Sequence, residues 1–372
     1  MFATVETIAD IIENLAPLNY ACKWDNVGLQ LGRREDVVNR VLTTLEITDA
    51  VLDEAVEKNV DMIVTHHPMI FSPLKSITKD DMKGKIIYRA IQNNIAVYAA
   101  HTNMDVAPDG LNDYIANRLN IRDIKILDIT ERTLYYKLVV FIPSGYEEKV
   151  AEAINAAGAG HIGGYSHCTF RTEGMGTFKP LKGTKPFIGK QGELERVEEI
   201  RLETIIPKEK LKEAIKALTE SHPYEEVAYD IYPLANEGIV RGIGRFGELH
   251  KPKILKELAI EVKKRMDIEY VRVAGDLGTI IKKVAVINGS GADLIQIALY
   301  KGCQCVITGD VKYHDAQDAI SQAINVIDIG HYDSEKIFTH FIAQYLREET
   351  GKKGLNIDII ESSINIDPFQ TV

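Results

Sequence analysis

The chain is short of basic residues, cysteine and long apolar runs, and each shortage excludes a class of function. Its 44 Lys and Arg are outnumbered by 54 Asp and Glu, for a net charge of −10. No global positive field therefore draws it to nucleic acid or to an anionic membrane. The basic clusters are short, Lys251-Pro-Lys253 and Lys282-Lys283 among them, and read as solvated surface. No apolar run approaches the roughly 20 residues of a membrane helix. The first residues lack a basic stretch and pass at once into Ile8, Ile11, Ile12 and Leu15, closed by Pro17. That is the pattern of an amphipathic helix and not of a secretory leader. The expectation is a cytoplasmic protein with neither membrane nor nucleic acid as partner. The 4 cysteines agree: Cys22 and Cys168 are isolated, and Cys303-Gln304-Cys305 lies in an apolar, strand-like run. With no second pair to complete a zinc site, these two read as buried free thiols.

What is present is enough apolar material for several cores, 45% of 372 residues, sufficient for two or three domains. The first segment alternates strand and helix: Val41 to Ile47, a helix from Asp49 to Lys58, Met62 to Thr65, a helix around Lys83 to Gln92, then Ile95 to Ala100. The last segment repeats the plan, with strands Val284 to Ile287, Cys303 to Thr308 and Ile324 to Ile329. Helices fall at Ala292 to Lys301, around Ala316 to Ala323, and from Ser334 to Glu348. Both segments predict parallel α/β sheets built by right-handed crossovers. Met62-Ile-Val-Thr-His-His67 aligns with Cys305-Val-Ile-Thr-Gly-Asp310, which reads as a diverged internal duplication of two facing halves. Between them, strand, helix, two strands, helix and strand follow one another in the βαββαβ order of a ferredoxin-like domain. The expected division is 1–128 and 239–372 for the two α/β halves and 129–238 for the insert. His222, Tyr224, Tyr229 and Tyr232 near the end of the insert are expected to pack in its core or at an interface.

The chemistry gathers at strand ends. His66 and His67 close the run Asp61-Met-Ile-Val-Thr, and adjacent histidines at such a place can serve two metal ions. A solvated loop start is the competing reading. Two further strands end in His101-Thr-Asn-Met-Asp105 and Gly330-His331-Tyr-Asp-Ser-Glu335. Each has the form His-x-x-x-acid at the C-terminal edge of a strand, where open α/β sheets place ligands. If the following residues are helical, the His and the acid share a face. Facing halves would bring His66, His67, His101, Asp105, Asp310, His331 and Glu335 to one cleft. Gly242-Ile-Gly-Arg-Phe-Gly247 has the spacing of a dinucleotide fingerprint but opens a glycine-rich connector, so that reading fails on context. A better anion candidate is Asn288-Gly289-Ser290-Gly291, between a strand and a helix, where free amide N–H groups can hold phosphate. A plain tight turn is the alternative.

Taken together, Trp24-Asp-Asn-Val-Gly-Leu-Gln-Leu-Gly32, Thr65-His-His-Pro68, His101-Thr-Asn-Met-Asp105, Thr308-Gly-Asp310 and Gly330-His-Tyr-Asp-Ser-Glu335 resemble the Nif-three-like family, whose members are often named GTP cyclohydrolase 1 type 2 homologs. The resemblance covers both outer segments, and the insert is similar to the PII/CutA-like middle domain of longer bacterial members. It implies two facing α/β halves, a dinuclear metal centre and a toroidal homohexamer whose metal sites face an inner cavity. By position the implied ligands are His66, His67, Asp105, His331 and Glu335, with Glu335 bridging two divalent ions. His101 is then a neighbour able to orient a ligand or move a proton. Imidazole and carboxylate donors suit zinc first, with manganese or iron as alternatives. Two such ions with open positions polarise a carbonyl or phosphoryl oxygen for hydrolysis. The expected function is a metal-dependent hydrolase acting on a nucleotide or nucleotide-like small molecule, with GTP ring opening as the named candidate. Its rivals are a metal- or effector-sensing assembly without turnover, and metal storage.

Overall fold

A computed structural model describes residues 2–370 of the chain. Two compact units emerge, one formed by Met1–Thr130 together with Arg241–Val372, the other by Glu131–Val240. The discontinuous unit is a mixed α/β structure with two sheets.

Its first part comprises α1 (Val5–Leu15), β1 (Gly28–Leu31), β2 (Arg40–Thr44), α2 (Asp49–Glu57), β3 (Met62–Thr65), α3 (Met82–Gln92), β4 (Ala96–Ala99), α4 (Thr102–Val106), α5 (Leu111–Arg118) and β5 (Ile121–Arg132). Helix starts are written locally. Thr4 and Thr7 exchange reciprocal side-chain-to-amide bonds of 3.2 Å at the head of α1, while Thr48 caps α2 and Asp81 caps α3. Each satisfies an amide that the helix itself leaves unpaired.

The second part runs β10 (Val240–Ile254), α8 (Leu255–Met266), β11 (Arg272–Ala274), β12 (Ile280–Ser290), α9 (Ile295–Tyr300), β13 (Cys305–Gly309), α10 (Tyr313–Ser321), β14 (Asn325–Asp328), α11 (His331–Glu335), α12 (Ile337–Lys352) and β15 (Asp358–Glu361). Between the two parts, the continuous unit holds β6 (Tyr135–Pro143), α6 (Glu147–Ala156), β7 (Thr169–Phe178), β8 (Glu195–Pro207), α7 (Leu211–Ser221) and β9 (Tyr229–Pro233).

The two sheets of the discontinuous unit have the orders β1-β4-β3-β2-β15 and β11-β14-β13-β12-β10-β5. In each, three consecutive strands are parallel, β2-β3-β4 in one and β12-β13-β14 in the other, and an antiparallel strand lies against the third. Period-2 alternation sorts their side chains. Val41, Met62, Val64 and Tyr98 share one core with Val284, Val286 and Ile307 and with apolar residues of α1, α5, α8 and α12. On the opposite faces, Leu42, Ile63 and Val97 pack under α2 and α3, and Ala285, Ile287, Val306 and Val326 under α9 and α10. The buried free thiols of Cys303 and Cys305 belong to this packing. Among the described residues no helix is long and apolar enough to cross a membrane.

Several elements differ from expectation. The Gly242 to Gly247 stretch is not a connector but part of β10, which lies between β12 and β5. A Cβ on Gly242 would stand 1.8 Å from the Asp128 carbonyl oxygen and one on Gly247 2.2 Å from that of Arg122. The glycines thus serve close backbone contact, and the falling partner numbers show β5 and β10 to be antiparallel. Arg245, between them, is buried and binds both carboxylate oxygens of Asp113 at 2.8 Å. The second strand of the middle segment, whose sequence predicts Tyr165 to Thr172, begins only at Thr169, and Tyr165 instead closes a turn by its bridge to Ile162. The closing helix starts earlier than Ser334, as α11 and then α12.

The continuous unit is an antiparallel sheet of order β7-β8-β6-β9. Leu138, Val140, Ile142, Leu202 and Ile206 form its core with Val150 and Ile154 of α6 and Ala214 and Leu218 of α7. His222 packs as expected, with Nε2 donating to the Phe141 carbonyl at 3.0 Å. Tyr229 and Tyr232 are not in the core, since β9 is an edge strand exposed along its length in the single chain.

Candidate metal centre

The C-terminal ends of β3, β4, β13 and β14 deliver the histidines and acids to one place. His66 follows β3 and is fully buried, its ring 4.8 Å from that of Phe338. Its Nδ1 lies 2.8 Å from the Ala100 carbonyl, which accepts the N–H and leaves Nε2 to face the cleft. That Nε2 has no hydrogen-bond partner and stands 3.7 Å from both Asp105 Oδ1 and Glu335 Oε1. A buried ring nitrogen aimed between two carboxylates without a bond to either is poorly satisfied as it stands. A cation among the three atoms would satisfy it.

His67 turns the other way and places Nε2 2.9 Å from Glu335 Oε2. His331, at the start of α11, places its Nε2 3.0 Å from the same oxygen. One turn of α11 puts Glu335 under His331, and α4 likewise carries Asp105 four residues after His101. The ligand atoms of His67, His331 and Glu335 lie within 4.8 Å of one another, and so do those of His66, His67 and His101. The structure thus groups His101 with the paired histidines, whereas Asp105 is met through His66.

The far ring nitrogens are held by oxygen. Asp310 accepts from His331 Nδ1 at 2.7 Å, and Asp25 from His101 Nδ1 at 2.9 Å. With Ala100 on His66, three imidazoles have their orientation and tautomer set from behind, the arrangement usual for metal-binding histidine. Glu46 stands 3.8 Å from His67 Nδ1.

The charges are strongly coupled. Burial lowers the affinity of His67 for a proton, but Glu335 and Glu46 outweigh it and raise the pKa to about 10. Glu335 raises His331 to about 9, against burial and with help from Asp310. Burial pushes Glu335 up, yet His331, His66 and His67 hold it well below the usual carboxylate range. Asp105 is shifted upward by burial. Asp25 is likewise opposed by burial, but bonds from His101 and Thr102 bring it to about 2. A divalent ion bound among these groups would take the place of protons on the imidazoles.

Asn288 to Gly291 serve a different purpose from the one expected. The Asn288 amide donates to Asn112 Oδ1 at 3.1 Å and the Gly289 amide to Ser334 Oγ at 2.8 Å. Two of the N–H groups proposed for an anion are therefore committed, and the helix begins as a short 3₁₀ turn at Ala292–Leu294. The Asn288 side chain instead donates to Asp105 Oδ1 at 3.0 Å. Gly289 has φ +61, and a Cβ there would stand 2.3 Å from Glu335 Oε1. Gly309 is packed as tightly, since its Cβ would meet the Gly330 carbonyl at 2.6 Å and the His331 amide nitrogen at 2.8 Å. Ser290 lines the cleft.

Asp25 and Glu46 were missed as site residues because both lie on loops with no ligand spacing of their own. The quoted segment from Trp24 to Gly32 was the available signal for Asp25. The cleft has a volume of about 1030 Å³. His67, His101, Asp105, His331 and Glu335 form one pole, and Trp24, Met69, Phe71, Met82, Ile86 and Leu294 supply apolar wall.

Comparison with known proteins agrees in extent with this site. The model of the family described as Duf34/NIF3 (NGG1p interacting factor 3) matches residues 3–368. A GTP cyclohydrolase 1 type 2 homolog of Halalkalibacterium halodurans is 45% identical over 367 residues, covering 99% of this chain and 98% of its own. A protein of the same name from Bacillus subtilis is 45% identical over 364 residues, covering 98% and 97%. Among solved structures, a Bacillus cereus protein related to NIF3 superposes with TM-score 0.84 at 42% identity, covering 100% of both chains.

Proposed function

Because the chain belongs to the Duf34/NIF3 family, we propose that the cleft is a dinuclear metal centre that hydrolyses a nucleotide or nucleotide-like small molecule, the class suggested by relatives named GTP cyclohydrolase 1 type 2 homolog. The observation that carries the reading is the Glu335 carboxylate. Its Oε2 faces Nε2 of both His67 and His331, at 2.9 and 3.0 Å, while its Oε1 faces His66 Nε2 at 3.7 Å. One carboxylate thus presents an oxygen to each of two imidazole sets, as a bridging ligand does. We assign His66 and Asp105 to one ion, His67 and His331 to the other, and Glu335 to both.

The donor set suits two divalent ions, zinc first with manganese or iron as alternatives. Bound there, they supply Lewis-acid polarisation of a carbonyl or phosphoryl oxygen. The remaining work belongs to the chain. Asn288 holds Asp105 in place. Asp25 fixes the tautomer of His101 so that its Nε2 lone pair faces the cleft, where it accepts a proton. Ile287, Met69 and Pro68 line the cleft as its apolar surface. A second reading makes His101 a ligand, favoured by its place within 4.8 Å of the His66 and His67 ligand atoms.

For the insert, the βαββαβ sequence, the order β7-β8-β6-β9 and a helix-covered core support a ferredoxin-like domain of PII/CutA-like type, bounded near residues 129 and 238. Among the described residues no group that could hold a metal lies in it, so we assign it to shaping a toroidal homohexamer in the cytoplasm and admitting or sensing an effector. If it alone carries the physiological role, the assembly is a sensor without turnover. Metal-loaded protein offered GTP and other nucleotides, with products followed by mass spectrometry, decides between these. Hydrolysis that vanishes on chelation is expected. Full metal occupancy without turnover of any nucleotide would refute the hydrolase and leave the sensor.

A further inference from the structure

The chain's only tryptophan is not in a core. Trp24 is 61% exposed, and so, at 47%, is Phe71 beside it. Both line the cleft, their ring centroids 5.8 Å apart and tilted by 52°, and the Trp24 ring meets His101 edge-on at 6.1 Å. Leaving these side chains in water forgoes the burial that large aromatics usually gain in folding. The pair is also held rigidly. Asn26 donates to the Ile70 carbonyl at 2.5 Å, and the Ile70 amide donates to Gln30 Oε1 at 2.7 Å, tying the segment of Trp24 to that of Phe71. Asp25, next in sequence to Trp24, is anchored by His101 and Thr102. Exposed, fixed and adjacent to the histidine pole, the two rings form a platform already in place.

The charge of the cleft narrows what the platform receives. Among the described residues lining it, Lys83 is the one Lys or Arg, outnumbered by Glu46, Asp49 and Asp293 in addition to the pole's own Asp105 and Glu335. A polyphosphate recognised through its charge ordinarily meets a cluster of Arg, Lys and free amides. Here the two best-placed amides, those of Asn288 and Gly289, are already bonded within the chain.

We propose that Trp24 and Phe71 bind the substrate's ring, a small planar heterocycle that is itself neutral or weakly charged, held on the exposed faces of the two aromatics with one edge turned to the histidine pole. The ring lies on the pair and not between its members, which already touch. This deepens, and rests on, the reading of that pole as a metal centre. It places recognition of the ring in stacking on this wall, whatever the metal pole holds.

Because Trp24 is the only tryptophan, its fluorescence reports this wall alone. Full-length, metal-loaded protein is titrated with inosine, uridine and a soluble pterin as rings without phosphate, and with inorganic triphosphate as charge without a ring. At least one ring compound quenches Trp24 saturably, and triphosphate does not compete with it. Phe71→Ala, at an exposed position, weakens that binding about tenfold, the order of one lost stacking contact, with metal content unchanged. Calorimetry on Trp24→Phe, which keeps a ring but loses the signal, gives binding within a few-fold of the parent. Silence from all three rings, or undiminished affinity in Phe71→Ala, overturns the proposal. Metal content of the same samples separates the two ideas: quenching that persists in protein unable to hold metal sinks the metal reading and spares the wall.

Discussion

Replacing Glu335 by Gln tests the metal centre at its most constrained point. The residue is 3% exposed and its carboxylate meets three imidazoles. Gln keeps the volume but loses the charge, and one of the two oxygens becomes an amide nitrogen that has nothing to offer a cation. Neither ion then has its full donor set. Ligand that binds only the folded state stabilises it by RT ln(1 + [L]/Kd), about 2.7 kcal/mol for each independent site at 100-fold excess over Kd. The parent protein should therefore gain at least about that much stability on metal loading, and Glu335→Gln close to none. Absolute stabilities are the wrong comparison, because in chelator the variant also loses the counter-charge of His67 and His331, a penalty on the order of 1–3 kcal/mol. The metal-dependent increment isolates the site. It is read from urea unfolding of each protein with and without chelator, alongside elemental analysis of purified samples. Two ions per chain in Glu335→Gln, with the same increment as the parent, would remove Glu335 from the centre and the bridging argument with it.

Three further outcomes follow from the same geometry. His101→Ala should keep most of its metal while turnover falls about 10²–10⁴-fold, the range for a lost proton-transfer group, and Asp25→Asn should follow it by releasing the imidazole tautomer; loss of metal in His101→Ala would instead make His101 a ligand. Excising residues 131–240 and joining the ends with a short Gly/Ser linker should leave a soluble protein that still binds metal, because β5 and β10 remain neighbours in their sheet; elemental analysis and light scattering check this, and loss of metal or of assembly would make the insert part of the core structure. Burial pushes Glu54 up, but Lys58 at 2.7 Å and the hydroxyls of Ser362 and Ser363 bring it to about 2 from an ordinary 4.5. Its stabilisation is therefore complete above pH 4.5 and lost as pH falls toward 2, so Glu54→Gln should cost up to about 3 kcal/mol at neutral pH and flatten the acid limb of urea midpoints; parallel limbs for parent and variant would contradict it.

Much of this arrangement was legible because it depends on short-range pattern. Apolar runs bounded by turn residues gave away β3, β4, β13 and β14, and a histidine ending such a run must sit at a sheet edge. The four-residue spacing from His331 to Glu335 needed only one helical turn to become a shared face. What could not be read depends on where loops travel. Nothing local to Asp25 or Glu46 says that it stands behind an imidazole. The glycines of Gly242 to Gly247 look like a flexible link until β5 is seen to lie against them. Asn288 and Gly289 looked like free amides because their acceptors, Asn112 and Ser334, are brought to them only by tertiary packing. Tyr229 and Tyr232 have the composition of a core strand, but β9 became an edge, and its place in the sheet is decided by strand order.

Gly289 and Gly309 bear on how such a centre fails. Neither has a side chain to offer a metal, yet each occupies a gap that one added carbon would fill, against Glu335 Oε1 in one case and the backbone leading into His331 in the other. The fidelity of the ligand set is therefore kept partly by excluded volume. A random search for variants that no longer hold metal should return small-to-large changes at these two positions beside changes at the imidazoles and carboxylates. Such lesions would be misread as folding defects by anyone who equates a metal centre with its ligands. At Gly289 the clash is with the Glu335 side chain, so metal loss should exceed the loss of stability in chelator; at Gly309 the clash is with the backbone of Gly330 and His331, and both should fall together.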